Sequence, residues 1–264
     1  MKKLFLLVVA VAMIGMYSCT KDNNGNGPGS ETETGVAGFG DRVAEDVEVG
    51  EKFLLPEGVE IVGGIQGITP MYANLKSTSD DPLTYDEIDE MYGLGGQFIT
   101  LVMQFVNGND DPTEVLFKPG LIFEIVDGLG YDITEFQRGM ILTQMLVNLD
   151  GGETKTVALN LFCFNKGLNG SAFSVEYKAV GVTENELMLD LLFYVNNERY
   201  DWLGDTNDVL LGEISMGQLT NEEAAILIAN IQQLIWWITD HTHPDALTKE
   251  EVLSKLNELV GSHT

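Results

Sequence analysis

The sequence holds only two cysteines, Cys19 and Cys163, in 264 residues. At most one disulfide can form within the chain, which excludes a small scaffold stapled by several bridges. Positive charge is also scarce: 14 Lys and Arg stand against 41 Asp and Glu, a formal net charge of −27. Nucleic acid and anionic membrane surfaces are therefore poor partners, because both are recognised through a basic footprint. The apolar run at 4–16 falls short of the ~20 residues that a membrane-spanning helix needs. The chain has no glycine-rich phosphate loop, serine elbow or zinc-protease helix, and no internal repeat of the kind that builds solenoids or propellers. With these signatures missing, the expectation is a protein that is not an enzyme and carries no cofactor and no metal.

The N-terminus is informative. Lys2 and Lys3 precede the apolar run at 4–16, the layout of a signal peptide. Ser18-Cys19 resembles the lipobox of bacterial lipoproteins, although Met16 and Tyr17 stand where a branched aliphatic and a small residue are commoner. The resemblance implies cleavage after residue 18 and lipidation of Cys19, with palmitate-like chains that contribute ~0.8 kcal/mol per buried methylene. The alternative is cleavage without lipid. Residues 20–35 are Lys, Asp, Gly, Asn, Pro, Ser, Thr and Glu, with nothing that could form a core, and they read as a flexible tether. Lys21-Asp22 resembles the surface-export signal of Bacteroidetes lipoproteins, which implies an outer-membrane lipoprotein exposed at the cell surface and held by its lipid anchor. The acids are scattered along the chain, the pattern of a solvated surface.

From 47 to about 181 the chain is punctuated every dozen or so residues by Gly, Pro, Asn and Asp, with short apolar or alternating runs between. That rhythm suggests strands at 97–106, 113–117, 121–125, 140–147, 154–164 and 172–179. The acidic segment 77–92 reads as an exposed loop or short helix. Beyond 182 the period changes. Thr183 with Glu186, Thr220 with Glu223 and Thr248 with Glu251 each have capping-box spacing ahead of an apolar stretch, which suggests three helices. The expected fold class is α+β: an antiparallel β-sandwich, Ig-like in size, over 47–182, followed by an α-helical C-terminal part over 183–264 packed on it. A signal peptide at 1–18 and a lipidated cysteine with its linker at 19–46 come first.

If Cys19 carries lipid, Cys163 has no second cysteine within the chain, and a thiol outside the cytoplasm must be buried or used. Period-two alternation over 154–164 puts Val157, Leu159, Leu161 and Cys163 on one face, with Phe162 and Phe164 on the other. The helix expected to end near 240 is apolar on most of its circumference, yet it contains Gln232 among Ile228, Ile235 and Trp236. A desolvated amide there needs a partner, at a cost of ~1–3 kcal/mol if it has none.

Phe162-Cys163-Phe164 resembles the aromatic-Cys-hydrophobic motif of the thioester domains of bacterial surface adhesins. Ile231-Gln232-Gln233-Leu234-Ile235-Trp236 resembles their Thr-Gln-x-Ala-Ile-Trp motif, with Ile231 in place of Thr and Leu234 in place of Ala. The resemblance implies that Cys163 is the thiol and Gln232 the acyl donor of an internal thioester, with Phe162, Phe164 and Trp236 in support. The alternative is a plain core cysteine beside a hydrogen-bonded glutamine.

Weaker constellations complete the reading. Asp240, His241, His243 and Asp245 carry metal-ligand chemistry but sit where a solvated turn is expected. Asn107, Asn109, Asp110 and Asp111 could offer oxygens to calcium but lack EF-hand spacing and read as a hairpin turn. Trp202 and Trp237 are candidates for stacking on a glycan. Three functions compete on these features. The favoured one is a non-enzymatic adhesion or interaction module that meets a protein or glycan on another surface; thioester-domain-like chemistry at Cys163 is one form it could take, and not the favoured one. The others are a glycan- or peptide-binding lipoprotein without covalent chemistry, and a cysteine-dependent hydrolase pairing Cys163 with His241.

Overall fold

The computed structural model describes residues 38, 46–68, 88–95, 98–173, 175–193, 221–239, 251 and 254. The expected signal peptide, Cys19, the expected tether and the expected helix-capping residues Thr220 and Thr248 lie outside them. The strands are β1 (Val49–Lys52), β2 (Val59–Ile68), β3 (Glu90–Tyr92), β4 (Ile99–Asn107), β5 (Thr113–Phe117), β6 (Leu121–Ile125), β7 (Gly139–Met140), β8 (Met145–Leu149), β9 (Thr154–Cys163) and β10 (Glu176–Thr183). Helices α1 (Glu186–Phe193) and α2 (Asn221–Thr239) follow.

The expected β-sandwich with a helical C-terminal part is not what forms. β2, β4, β9, β7, β6 and β10 pair in that order, and β10 pairs with β2 as well as β6. The ring closes into a six-stranded antiparallel barrel, which removes the open edges a sandwich would leave. Closure depends on bends that an alternating pattern does not display. In β2 the register against β4 shifts between Val62 and Ile65, where Gly63 and Gly64 both adopt φ 77°. A left-handed glycine pair produces a bulge there and turns the strand. β10 has a second shift, between Ala179 and Gly181.

Other details also depart from the sequence expectation. The run at 140–147 is two strands, β7 in the barrel and β8 in a separate two-stranded ribbon with β5. The segment 77–92, given no strand, ends in β3, which pairs in parallel with β9. Thr183 closes β10 instead of capping α1; Asn185 is the cap, its Oδ1 accepting from Met188 N–H at 3.1 Å.

Inside the ring, Ile65, Leu101, Met103, Phe105, Leu121, Phe123, Leu159, Leu161 and Tyr177 form one apolar core with Val115, Phe117 and Val147 of the ribbon. Burial first, and then the nearby Tyr131, push the Tyr177 phenol well above the ordinary range; its hydroxyl donates to the Gln137 carbonyl at 3.3 Å. A second core lies outside the ring, where Ile122, Met140, Phe162 and Phe164 meet Met188, Leu191 and Leu192 of α1 and Ile228, Ile231, Leu234, Ile235 and Ile238 of α2. The two helices thus pack on the outer face of the barrel at β6, β7 and the end of β9.

The turns at one end are held by Asn107, which is fully buried. Its Nδ2 donates to the carbonyls of Asp111 and Asp150, both at 3.0 Å, and its Oδ1 accepts from Asn109 N–H at 3.0 Å. Asn109 in turn donates to the Glu57 carbonyl at 2.8 Å. The cluster considered for calcium is occupied in tying three turns together. Asn107→Ala is expected to lower stability by about 1–3 kcal/mol, the cost of leaving buried polar groups unsatisfied. Urea unfolding of the variant checks this, and an unchanged midpoint would remove the role.

Candidate functional site

β9 carries Val157, Leu159, Leu161 and Cys163 into the barrel core and turns Phe162 outward. Cys163 is the last residue of the strand and has no exposed surface. On one side β7 pairs it with Gly139, and Phe164 N–H donates to the Arg138 carbonyl at 3.2 Å. On the other side the register with β4 ends at Ile99 and Leu161, short of Cys163. In an antiparallel sheet the N–H and C=O of one residue point to the same side, so at Cys163 both groups face a direction that the paired part of β4 does not cover.

Gln232 of α2 fills that direction. Its Oε1 accepts from Cys163 N–H at 3.0 Å, and its Nε2 donates to the Cys163 carbonyl at 2.7 Å. The primary amide imitates the edge of a neighbouring strand, and it is 3% exposed. One turn on, Trp236 Nε1–H donates to Cys163 Sγ at 3.2 Å. A further turn on, Thr239 Oγ1 donates to the Phe164 carbonyl at 2.7 Å. Residues 232, 236 and 239 share one face of a helix by their spacing of four and three, so a single stripe of α2 grips the end of β9 at the main chain and at the sulfur. The grip can exist because α2 is seated on Phe162 and Phe164 by Ile231, Leu234, Ile235 and Ile238.

Trp236 is half-buried. Its ring lies 5.2 Å from that of Phe98 in a tilted arrangement, and Lys166 Nζ sits 5.7 Å from its centroid. Behind the site, Arg138 N–H donates to Asn165 Oδ1 at 3.1 Å, and the Arg138 guanidinium donates to the Gly38 carbonyl. Burial pulls the Arg138 guanidinium below the ordinary arginine range, with Glu124 and Asp46 acting in the opposite direction.

The structure therefore brings together Cys163, Gln232, Phe162, Phe164 and Trp236. Trp237 lies elsewhere on α2, half-buried against the core that contains Phe162. Cys19, Trp202, Asp240, His241, His243 and Asp245 fall outside the described residues, so the Cys163 and His241 pairing has no geometry to assess. Ala225, Ile226 and Ala229 are exposed while Ile228 is buried, so these three positions of α2 are less enclosed than the apolar composition of the helix suggests. Sequence reasoning missed Thr239, Phe98 and Lys166. Thr239 had a signal in its helical spacing from Gln232 and Trp236; the other two come from distant turns and had none. A recess lined by Phe53, Leu55, Leu116, Lys118 and Val182 shares no residue with the pair.

Chemically, the arrangement puts the Gln232 amide on the main chain of the residue that carries the thiol, with the Cys163 N–H already donating to Oε1. If Cys163 Sγ attacks Gln232 Cδ, the negative charge develops on Oε1, which already accepts from Cys163 N–H; a donor fixed there beforehand favours the step. Compared with known proteins, the chain matches no family model, no curated protein and no solved structure.

Proposed function

We propose that this protein is a surface-tethered adhesion module of a lipoprotein, and that its working group is an internal thioester between Cys163 and Gln232. The observation that carries the reading is the placement of the Gln232 amide on the main chain of Cys163, with Oε1 and Nε2 both engaged there. In forming the thioester, Sγ bonds to Cδ and the Cδ–Nε2 bond breaks. The nitrogen leaves as ammonia and carries away the thiol proton. An amine on a partner surface then attacks Cδ, forms an amide and returns the electrons of the C–S bond to Sγ, which regains a proton. No oxidant and no cofactor is required.

Two further features support the reading. The signal-like N-terminus and the lipobox-like Ser18-Cys19 support a module held outside the cell on a tether, where one covalent encounter is enough to hold a partner. Burial of Cys163 and Gln232 shields an electrophile from water, and the same burial weighs against a hydrolase, which would have to admit substrate to the thiol at every turnover. The test is incubation of the soluble chain with a biotinylated primary amine, followed by denaturing electrophoresis and peptide mapping. The reading expects label at residue 232, and none in Cys163→Ala. Label that is absent from the unmodified chain, or that persists in Cys163→Ala, rejects covalent capture and leaves Gln232 as a clamp on the strand end.

A further inference from the structure

Cys163 has no exposed surface and Gln232 almost none, whereas Trp236 is half-buried and touches both worlds. Its indole N–H reaches inward to Sγ at 3.2 Å. Its ring lies against Phe98 and beneath the ammonium of Lys166, an exposed residue on the turn that follows β9. That turn contains Gly167 at φ 91°, a left-handed position that fixes a tight reversal. Trp236 is thus the layer between the sulfur and the solvent-facing Lys166, and its outer attachment is a cation over a ring face, a contact that is weak and reversible when exposed.

We propose that Trp236 is the gate of the Cys163 and Gln232 pair, latched by Lys166, so that a nucleophile reaches the pair when Trp236 swings out and not by unfolding of the barrel. This rests on the thioester reading for its purpose but not for its geometry, since the gate covers Cys163 whether or not the thioester is present. Trp236 is a positioning residue in this scheme: it touches sulfur in the closed state and leaves before reaction. Thr239 on the Phe164 carbonyl holds α2 in place while the side chain moves, helped by the Gln232 amide where it is intact and by the covalent link once a thioester has formed.

The test uses the full chain carrying Cys19→Ser, which leaves Cys163 the sole thiol. An intact mass taken first tells which probe applies. With no thioester, the probe is iodoacetamide and the rate of alkylation is followed; with a thioester, the probe is methylamine and the rate of a gain of about 31 Da is followed. Lys166→Met keeps the aliphatic stem and removes the charge. It is expected to react about 2–5-fold faster than the parent, the factor by which loss of an exposed cation–ring contact shifts a local opening equilibrium, with the urea midpoint unchanged. In the parent the rate is expected to stay flat at low urea, the mark of a local opening that exposes little surface. An equal rate in parent and Lys166→Met, or a parent rate that climbs with the first additions of urea in step with global unfolding, overturns the gate. The thioester reading fails separately, on the mass.

Discussion

In a Cys163→Ala background, where no thioester can form, Gln232→Leu is expected to destabilise the protein by about 1–3 kcal/mol for each of the two main-chain groups it abandons. Residue 163 keeps its N–H and C=O in that background, and both are bonded by the Gln232 amide, at 3.0 and 2.7 Å. Leucine fills similar space but offers neither an acceptor nor a donor. The buried groups then face a hydrocarbon surface, and the loss should appear as a lower urea midpoint with an unchanged slope. Gln232→Glu supplies the control. An ionised carboxylate still accepts from the N–H but cannot donate to the carbonyl, and it carries charge into a buried site. Burial raises its pKa in the folded state above the ordinary ~4.3 of a glutamate. The sign follows from linkage: with the folded pKa raised, stability is fully present below the unfolded pKa and is lost as pH rises through the folded pKa. Gln232→Glu should therefore approach its parent at low pH, where the protonated acid can donate to the carbonyl, and fall away toward neutral pH. Equal stability of the leucine variant and its parent would mean that the clamp contributes nothing.

The second large effect is expected at Phe162, whose side chain is 1% exposed in the outer core between the barrel and both helices. Phe162→Ala should cost about 3–5 kcal/mol, the usual range for truncating a buried aromatic ring. Its consequence for the site should exceed that of an inner-core truncation of similar size. Removing the seat of α2 loosens Gln232, Trp236 and Thr239 together, because the three sit on one helix stripe. Phe105→Ala, inside the barrel and fully buried, should cost a similar amount of stability while leaving the grip on β9 in place. Hydrogen exchange separates the two: Phe162→Ala should speed exchange at the Cys163 amide at urea concentrations where the barrel remains folded, and Phe105→Ala should not.

How much of this could be read from the residues depends on the range of the interaction. The strands Thr113–Phe117 and Leu121–Ile125 fall where the sequence placed them, because short alternating runs between turn residues carry a local signal. Which strands pair is not local. An inward face looks the same in a sandwich and in a barrel, and the closing contact of Tyr177 with Ile65 joins segments whose sequences do not point to each other. The segment 140–147 hid a change of sheet for a similar reason: Thr143 and Gln144 interrupt its apolar residues, but two polar residues within a strand-length run do not by themselves say that the sheet changes. At the site, the cysteine was singled out by its scarcity and Gln232 by being polar on an apolar helix. What the sequence could not supply was the way they meet. Gln232 binds the main chain of Cys163 beyond the described pairing with β4, and the sulfur itself is met by Trp236. Neither arrangement can be inferred until β4 is seen to end at Ile99.

The claim that most needs a direct answer is the covalent one. Intact-mass spectrometry of the soluble chain, prepared without amines and at mildly acidic pH, compares the measured mass with that calculated from the sequence, and tandem fragmentation locates any difference. A deficit of about 17 Da, the loss of ammonia, confined to peptides holding Cys163 and Gln232 and absent from Cys163→Ala and Gln232→Leu, is the expected result. A full calculated mass, with Cys163 alkylated stoichiometrically once the chain is denatured, would contradict it.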